Sequence, residues 1–416
     1  QLSVELYDTK ESKVLWSDRW QEKWDNLPTI KGSLSDGLLK ALDTKPKVEQ
    51  TVATTNPEAY EYLLKAKYRW QKRVDVEDIQ ITRGLLNKAI SLDDDLILAK
   101  VSLGSTYTYE GKYEIAMEIF NSTLIQAEAV GQKYELAKVL GNIGHIYEIK
   151  RENNQALECF TRSLMICKEI NDKEGIAGSL NNLGIHYNKL GNYEKALEYH
   201  LRTLKIREEL GDKYKVSCIL INLGTDYINL AKFDKVLSSY NRALKIFHEL
   251  GDKDGIGKCF NNLGVYYNSI GDYKKAIDYY TRRLTICEEL GYKQGIAKTY
   301  YNIASVYFYQ SDYEKALKYC EQSSKIFKNI GYKQMDLRIH IKINLTKKLL
   351  GKKYDISRVH SFIKETEEIK LELNYLIYLL LEDTIYLSDA FNEVQKLANN
   401  LEPDVAAKFL SYPIPK

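Results

Sequence analysis

An internal repeat of fixed length most constrains what this chain can fold into. From about residue 97 the sequence repeats every 40 residues, and no insertion is needed to keep the blocks aligned. One phase of the repeat holds a small residue in all six blocks: Gly104, Gly144, Gly184, Gly224, Gly264 and Ala304. Twelve positions later each block has a second small or branched residue: Ala116, Ala156, Ala196, Val236, Ala276 and Ala316. Repeats of this length are typical of stacked supersecondary units, so the sequence predicts a solenoid.

Each 40-residue block is predicted to form two antiparallel helices. A tyrosine lies about one helical turn after the first small residue in every block: Tyr107, Tyr147, Tyr187, Tyr227, Tyr267 and Tyr307. Small residues on both helices let the two backbones approach closely. The chain has no proline between Pro57 and Pro403, so nothing interrupts long helices there. The predicted second helices end at residue types that favour a left-handed cap: Gly131, Asn171, Gly211, Gly251, Gly291 and Gly331.

Shorter segments flank the six blocks, which span 97–336. Residues 57–96 are predicted to form a degenerate first unit, and residues 337–416 a degenerate last unit with a helical cap. The cap contains an apolar stretch, YLIYLLLEDTIYL, that is predicted to be one helix, and an extended segment, FLSYPIP. Residues 1–45 are predicted to form strand, strand and helix, a small α/β segment, and the polar residues 46–56 a linker.

The repeated residues resemble the tetratricopeptide repeat. That repeat has the signature Leu-Gly-x-x-Tyr, a small residue on the second helix, and an aromatic residue four positions later. The last place is held here by Phe120, Phe160, His200, Tyr240, Tyr280 and Cys320, so His200 and Cys320 depart from the pattern. The 40-residue length is similar to that in kinesin light chains and in the Leu-Gly-Asn-repeat polarity adaptors. The resemblance covers roughly 57–370 and implies an all-α fold: a right-handed α-solenoid of antiparallel helix pairs that acts as a non-catalytic protein-interaction scaffold.

A second resemblance lies at the N-terminus and leads to an alternative function. QLSVELYDTKESKVLWSDRW is similar to the end of a TolB-like or FlgO-like domain, and NPEAYEYLLKAKYRW resembles the repeat that commonly follows it. In bacterial chains of that arrangement, the domain links a class III nucleotide cyclase or a DNA-binding domain to a repeat array. The resemblance therefore implies a truncated chain, the sensory or regulatory half of a signalling protein such as an adenylate or guanylate cyclase.

The candidate binding site is a column of asparagines, which we call the asparagine row. Its members precede the small residue of the first helix by two positions: Asn142, Asn182, Asn222, Asn262 and Asn302. At about 100° per residue this phase points away from the packing seam. An amide offers donors and an acceptor, so a row on the inner, concave wall can pair with the main chain of an extended peptide. The resemblance to kinesin light chains implies the same use. The alternative is that each amide only hydrogen-bonds the next helix.

Cations lie one helical turn before the asparagines in some blocks. This phase holds Lys138, Gly178, Cys218, Lys258, Lys298 and Arg338. Cations beside the row favour an acidic peptide or a terminal carboxylate, with an affinity that falls as salt rises. The alternative is an ordinary solvated helix face, since lone surface lysines contribute little, and Cys218 interrupts the basic run. His145 lies one turn beyond Asn142 and is a further candidate contact.

Composition and motifs argue against several other functions. The chain has 60 basic and 57 acidic side chains, which is not the basic footprint of a dedicated nucleic-acid binder. The six histidines share no metal-ligand spacing, and the sequence has no nucleophile elbow, phosphate loop or zincin motif. We therefore expect no catalytic residues, no metal and no cofactor. The six cysteines fall in apolar helical patterns and are predicted to be reduced and buried.

The expected location is the cytoplasm. No stretch approaches the roughly 18 apolar residues of a membrane span, and the first residues lack the pattern of a signal peptide. The expected partner is a protein or peptide ligand. The sequence leaves the identity of that partner and the oligomeric state open.

Overall fold

The computed structural model describes residues 2–8, 13–20, 56–72, 76–331, 336–365 and 371–399. The chain divides into two compact units, Gln1–Ser179 and Leu180–Lys416, and the boundary falls inside one helix. The units are described separately.

The first unit begins with a β-hairpin. Strand β1 (Leu2–Asp8) pairs antiparallel with strand β2 (Lys13–Trp20), and the register runs from Leu2 opposite Trp20 to Asp8 opposite Lys13. The alternation of the first residues therefore predicts two paired strands correctly. The helix expected near Leu34–Leu42 and most of the expected linker, residues 46–55, lie outside the described residues.

Helices make up the rest of the described part of the first unit. They are α1 (Pro57–Lys72), α2 (Val76–Leu92), α3 (Ile97–Tyr109), α4 (Tyr113–Val130), α5 (Lys133–Ile149), α6 (Asn153–Glu169) and the first part of α7 (Lys173–Lys189). Consecutive helices pack as pairs, α1 with α2, α3 with α4 and α5 with α6. Their apolar faces bury Phe120, Val139, Ile143 and Ile146 in one core and Tyr60, Leu63 and Leu86 in another.

The second unit continues the same arrangement. It comprises the last part of α7 and α8 (Tyr193–Glu209), α9 (Lys213–Asn229), α10 (Phe233–Leu250), α11 (Lys253–Ser269), α12 (Tyr273–Glu289), α13 (Lys293–Tyr309), α14 (Tyr313–Asn329), α15 (Asp336–Leu349), α16 (Ser357–Glu365), α17 (Leu371–Leu381) and α18 (Thr384–Ala398). The predicted all-α class is confirmed, because both units are built of tandem helix pairs, as in an α-solenoid.

Most turns between consecutive helices, both within and between the helix pairs, contain one residue in the left-handed region. Glycine supplies it at several turns, as predicted from the caps, and Asn171 supplies it with a φ of 54°. Arg151, Ala231 and Ser311 adopt φ values of 62°, 52° and 60° where the repeat has no glycine. Side-chain-bearing residues pay about 1–2 kcal/mol in this region, so the packing of the helix pair imposes the turn on whatever residue is there.

An aromatic ring on the second helix packs against bare glycine backbone on the first. A Cβ added at Gly224 would lie 2.2 Å from the Tyr240 ring, and one at Gly144 would lie 2.7 Å from the Phe160 ring. The same contact recurs at Gly104, Gly184 and Gly264. The sixth pair holds Ala304 and Cys320, both fully buried in one core. The methyl group of Ala304 fills space that the aromatic ring occupies in the other pairs. A smaller side chain is therefore needed opposite it, which explains why Cys320 departs from the aromatic pattern.

The apolar C-terminal stretch forms two helices, so the prediction of a single helix was wrong. Helix α17 ends at Leu381 because Glu382 adopts a left-handed φ of 58°. The carboxylate of Asp383 then accepts a hydrogen bond from the backbone N–H of Ile385, 3.1 Å away, at the start of α18. A side-chain acceptor before a first turn is a typical helix start. The FLSYPIP segment lies outside the described residues.

Candidate functional site

Four members of the asparagine row lie in the second unit. Asn182, Asn222, Asn262 and Asn302 occupy the same phase on the first helix of each pair, α7, α9, α11 and α13. Each is partly exposed, whereas the residue after it, such as Leu223 or Leu263, is buried in the core. The apolar residue anchors the helix, so the neighbouring amide is held at the edge of the packed seam with access to solvent.

Two of these amides are hydrogen-bonded to the preceding helix of the same type. Nδ2 of Asn222 donates to Oδ1 of Asn181 over 3.1 Å, and Nδ2 of Asn302 donates to Oδ1 of Asn261 over 3.0 Å. Asn262 Oδ1 accepts from Asn261 Nδ2 at 3.3 Å. Asn181 and Asn261 were missed by the sequence analysis. Their signal is the Asn-Asn dipeptide that recurs in alternate blocks, at 181–182 and 261–262.

These bonds orient the amides. A carboxamide has two N–H donors and an oxygen with two lone pairs, so a single donated bond leaves capacity for further partners. The hydrogen bond from Nδ2 of Asn222 to Oδ1 of Asn181 sets the direction in which the Asn222 amide points. The bond to the neighbouring helix and a role in ligand binding are therefore compatible.

The cations beside the row in the second unit differ in their surroundings. Lys258 Nζ lies 2.6 Å from Asp254 Oδ2, four residues earlier on α11. Burial opposes the charged form of Lys258, but the hydrogen bond and charge of Asp254 outweigh it, so its pKa lies above the usual value. Burial and the charge of Arg283 lower the pKa of Lys298. Arg338 is half-buried on α15. Asp254 thus offsets much of the charge at Lys258, while Lys298 and Arg283 form a positive region.

In the first unit, Lys138, Asn142 and His145 lie on α5. The Asn142 amide donates to the backbone oxygen of Lys138 in its own helix, over 2.9 Å. Nζ of Lys138 lies 3.8 Å from the centre of the Tyr134 ring, and burial together with the charge of Lys67 lowers the pKa of Lys138 to about 8. The exposed His145 side chain places Nδ1 3.7 Å from Glu148 Oε2, too far for a hydrogen bond.

A buried polar cluster in the second unit explains the other departure from the repeat pattern. His200 replaces the usual ring, and its Nδ1 lies 2.6 Å from Oδ2 of Asp226. The other oxygen of Asp226 accepts a hydrogen bond from Nδ2 of Asn188, also over 2.6 Å. The side chains of His200 and Asp226 are 2% and 0% exposed. Asp226 was not singled out by the sequence analysis. The cluster lies in the core between helix pairs, so it is a packing feature and not part of the asparagine row.

Family models agree with this geometry. Models described as tetratricopeptide repeats match residues 137–169, 175–249, 215–289 and 297–330. These parts of the chain are tetratricopeptide repeats. A search of the curated proteins finds no match.

Several solved structures have a similar fold. A Rap protein complexed with competence and sporulation factor is 17% identical with a TM-score of 0.53, and the match covers 85% of this chain and 96% of that one. Aspartyl phosphate phosphatase F from Bacillus subtilis is 13% identical with a TM-score of 0.53, and the match covers 88% and 96%. A signal transduction ATPase with numerous domains from Pyrococcus horikoshii, which has a tetratricopeptide repeat sensor, is 15% identical with a TM-score of 0.53, and the match covers 94% and 66%.

The comparisons bear on the broad function of the tetratricopeptide repeats. They support a protein-interaction scaffold, and they give no support to the cyclase alternative. Among the helices of the described ranges, none is long and apolar enough to cross a membrane. The same residues contain no group of three or more His, Cys, Asp or Glu side chains arranged to hold a metal ion.

Proposed function

We propose that this tetratricopeptide repeat protein is a non-catalytic scaffold that binds an extended peptide segment of a partner protein along the asparagine row. The observation that carries the proposal is the spacing of Asn182, Asn222, Asn262 and Asn302, which are partly exposed at one phase of four successive repeats. An extended peptide presents a regular series of N–H and C=O groups, and a row of amides can pair with both.

The hydrogen bonds between neighbouring repeats favour this role. Asn181 and Asn261 hold the amides of Asn222 and Asn302 in one orientation before a ligand arrives. Preorganised groups lose less conformational entropy on binding, so each new hydrogen bond contributes more to the affinity. The Rap protein of the comparison was solved in complex with competence and sporulation factor, so an array of this fold can hold a ligand.

The positive region near the end of the row favours an acidic partner. The charge of Arg283 lowers the pKa of Lys298, and a ligand carboxylate beside Lys298 would offset that repulsion. Lys258 contributes less, because Asp254 already pairs with it. In the first unit we assign the same peptide-binding role to Asn142, with Lys138 and His145 as further contacts.

The test uses a peptide selected from a display library against the full chain. Changing Asn222 and Asn262 together to alanine removes two donor–acceptor groups, and we expect the dissociation constant to rise about 10- to 100-fold. Isothermal titration calorimetry measures the change. Asn241→Ala is the matched control, since Asn241 is an exposed asparagine on α10, on the second helix of a repeat. A selected peptide that binds the double variant as tightly as it binds the control would exclude the row as its site.

The charge preference is tested with the same peptide. We expect affinity to fall as sodium chloride rises, because interactions between exposed charges are screened over about 8–10 Å at physiological ionic strength. Lys298→Met is expected to reduce the salt dependence relative to the wild type, because it removes one cation of the positive region. A salt dependence equal to that of the wild type would contradict a role for the positive region.

A further inference from the structure

The degenerate last unit, which follows the sixth block, has a lysine at the position that the asparagine row occupies in the blocks before it. Lys342 follows Asn302 by the repeat length of 40 residues and lies on α15. Asn182, Asn222, Asn262 and Asn302 are partly exposed, but Lys342 is fully buried, at 0% exposure. The row therefore reaches solvent as far as Asn302 and is closed at its next position.

The ammonium of Lys342 is held by α13. Nζ donates to Oγ of Ser305 over 2.7 Å, and it lies 4.7 Å from the centre of the Tyr301 ring. The rings of Phe308 and Tyr309 are each 5.7 Å away. Among the described residues, no carboxylate lies within salt-bridge distance of Nζ. One hydroxyl and three aromatic faces replace only part of the hydration of an ammonium, so this burial is costly.

Helix α17 shares an apolar core with α15, which carries Lys342, and with α13, which contacts it. Leu376, Ile377 and Leu380 of α17 form one apolar core with Phe308 of α13 and Ile341 of α15, and Tyr309 packs against the same core. Two of the three rings around the ammonium, Phe308 and Tyr309, therefore pack in or against the core that α17 helps to form. Because Phe308 and Tyr309 contribute to this core, withdrawal of α17 would loosen two of the three rings that pack around the ammonium.

A charged clasp fastens the end of α17 to α15. Nζ of Lys348 donates to the backbone oxygens of Leu379 and Leu380, over 3.2 and 3.0 Å. It also lies 2.6 Å from Oε1 of Glu382, a side chain that is 78% exposed. A clasp that includes an exposed carboxylate is open to competition from water and from other charges, so it contributes modestly to the closed arrangement.

We propose that α17 is a displaceable cover on the asparagine row and that Lys342 is a latent anchor for a carboxylate of the bound partner. This inference rests on the proposed function. The closed arrangement buries an ammonium without an acidic partner, whereas an arrangement with α17 withdrawn lets a ligand carboxylate pair with it. A ligand with a carboxylate at this position therefore favours the open arrangement, and the partner is a peptide whose acidic residue or C-terminus extends past Asn302.

The first test measures the accessibility of Lys342 in the full chain. Acetylation by a water-soluble N-hydroxysuccinimide ester, mapped by mass spectrometry, is expected to be slow at Lys342 and fast at the exposed Lys353. Lys348→Ala removes the clasp and is expected to speed acetylation of Lys342 about tenfold relative to Lys353. Lys347→Ala is the matched control, because Lys347 is one residue earlier and lies 3.9 Å from Glu321 instead of contacting α17. Equal rates in the two variants would overturn the cover.

The second test uses hexaglutamate, a probe that carries only carboxylates. We expect Lys348→Ala to bind hexaglutamate about tenfold more tightly than the wild type, although the variant has lost a positive charge. Adding Lys342→Met to Lys348→Ala is expected to abolish that gain. Lys342→Met alone keeps the bulk of the side chain and is expected to slow hydrogen exchange of the α17 amides, because the closed arrangement no longer buries a charge. A gain that persists without Lys342 would rule out the anchor.

The two proposals fail in different ways. If Asn222→Ala/Asn262→Ala weakens binding of a selected peptide but Lys348→Ala leaves Lys342 acetylation unchanged, the row stands and the cover is wrong. If the double variant binds normally, the proposed function fails, whatever the acetylation rates are.

Discussion

Replacing Asp226 with alanine is expected to lower the free energy of unfolding by about 3–5 kcal/mol. The carboxylate of Asp226 is fully buried and accepts hydrogen bonds from Asn188 and, with its other oxygen, contacts Nδ1 of His200. Removing the carboxylate takes away the hydrogen-bond partner of Nδ1 of His200, which stays buried in the core. The smaller side chain also leaves a cavity. Urea denaturation followed by circular dichroism measures the loss, and hydrogen exchange locates it in α8–α10.

Two further variants separate the buried pair from other effects of the substitution. Asp278→Ala removes an exposed ion pair with Arg282 and is expected to cost less than about 0.5 kcal/mol. His200→Phe combined with Asp226→Ile installs the apolar residues that the first unit has at the corresponding pair of positions, Phe120 and Ile146, which are buried in one core. Since well-packed apolar residues can replace buried polar groups that bond each other without loss, this double variant is expected to be about as stable as the wild type. An Asp226→Ala variant as stable as Asp278→Ala would contradict the described pair.

Replacing Gly224 with alanine is expected to destabilise the protein by about 1–3 kcal/mol. The added Cβ would lie 2.2 Å from the ring of Tyr240, a fully buried side chain that cannot move without disturbing its neighbours. Gly178→Ala is the matched control, because Gly178 is also inside a helix but has no heavy atom within 4 Å of the added Cβ. That control is expected to gain about 0.5–1 kcal/mol from the higher helix propensity of alanine.

The sixth repeat supplies the compensating change for this variant. Ala304 and Cys320 are buried together at the phases of Gly224 and Tyr240. Gly224→Ala combined with Tyr240→Cys reproduces that pair, and we expect a favourable coupling of about 1 kcal/mol or more between the two substitutions in a double-mutant cycle. Additive effects, measured by the same denaturation, would mean that the ring and the glycine do not share one space.

Part of the candidate site could be predicted from the sequence. The positions of the asparagines in the second unit follow from the 40-residue period and the helical phase, and the structure places them at one phase of α7, α9, α11 and α13. Their partners could not be predicted. Asn181 and Asn222 are 41 residues apart and belong to different repeats, so their contact depends on how successive helices stack. Lys258 and Asp254 are only four residues apart on one helix. Whether their side chains meet depends on the rotamers that they adopt, which the sequence does not specify.

The sequence by itself determined the helix pairs. The small residues at fixed spacing, the absence of proline and the caps at the ends of the second helices act within about 20 residues, so local geometry is enough to specify them. The tertiary structure alone decided which polar groups meet. His200 reaches Asp226 across 26 residues, Asn188 reaches Asp226 across 38, and Lys342 reaches Ser305 across 37. These contacts depend on the stacking of one repeat on the next. Polar side chains are buried there, so removing one hydrogen-bond partner has a large effect on the free energy of unfolding.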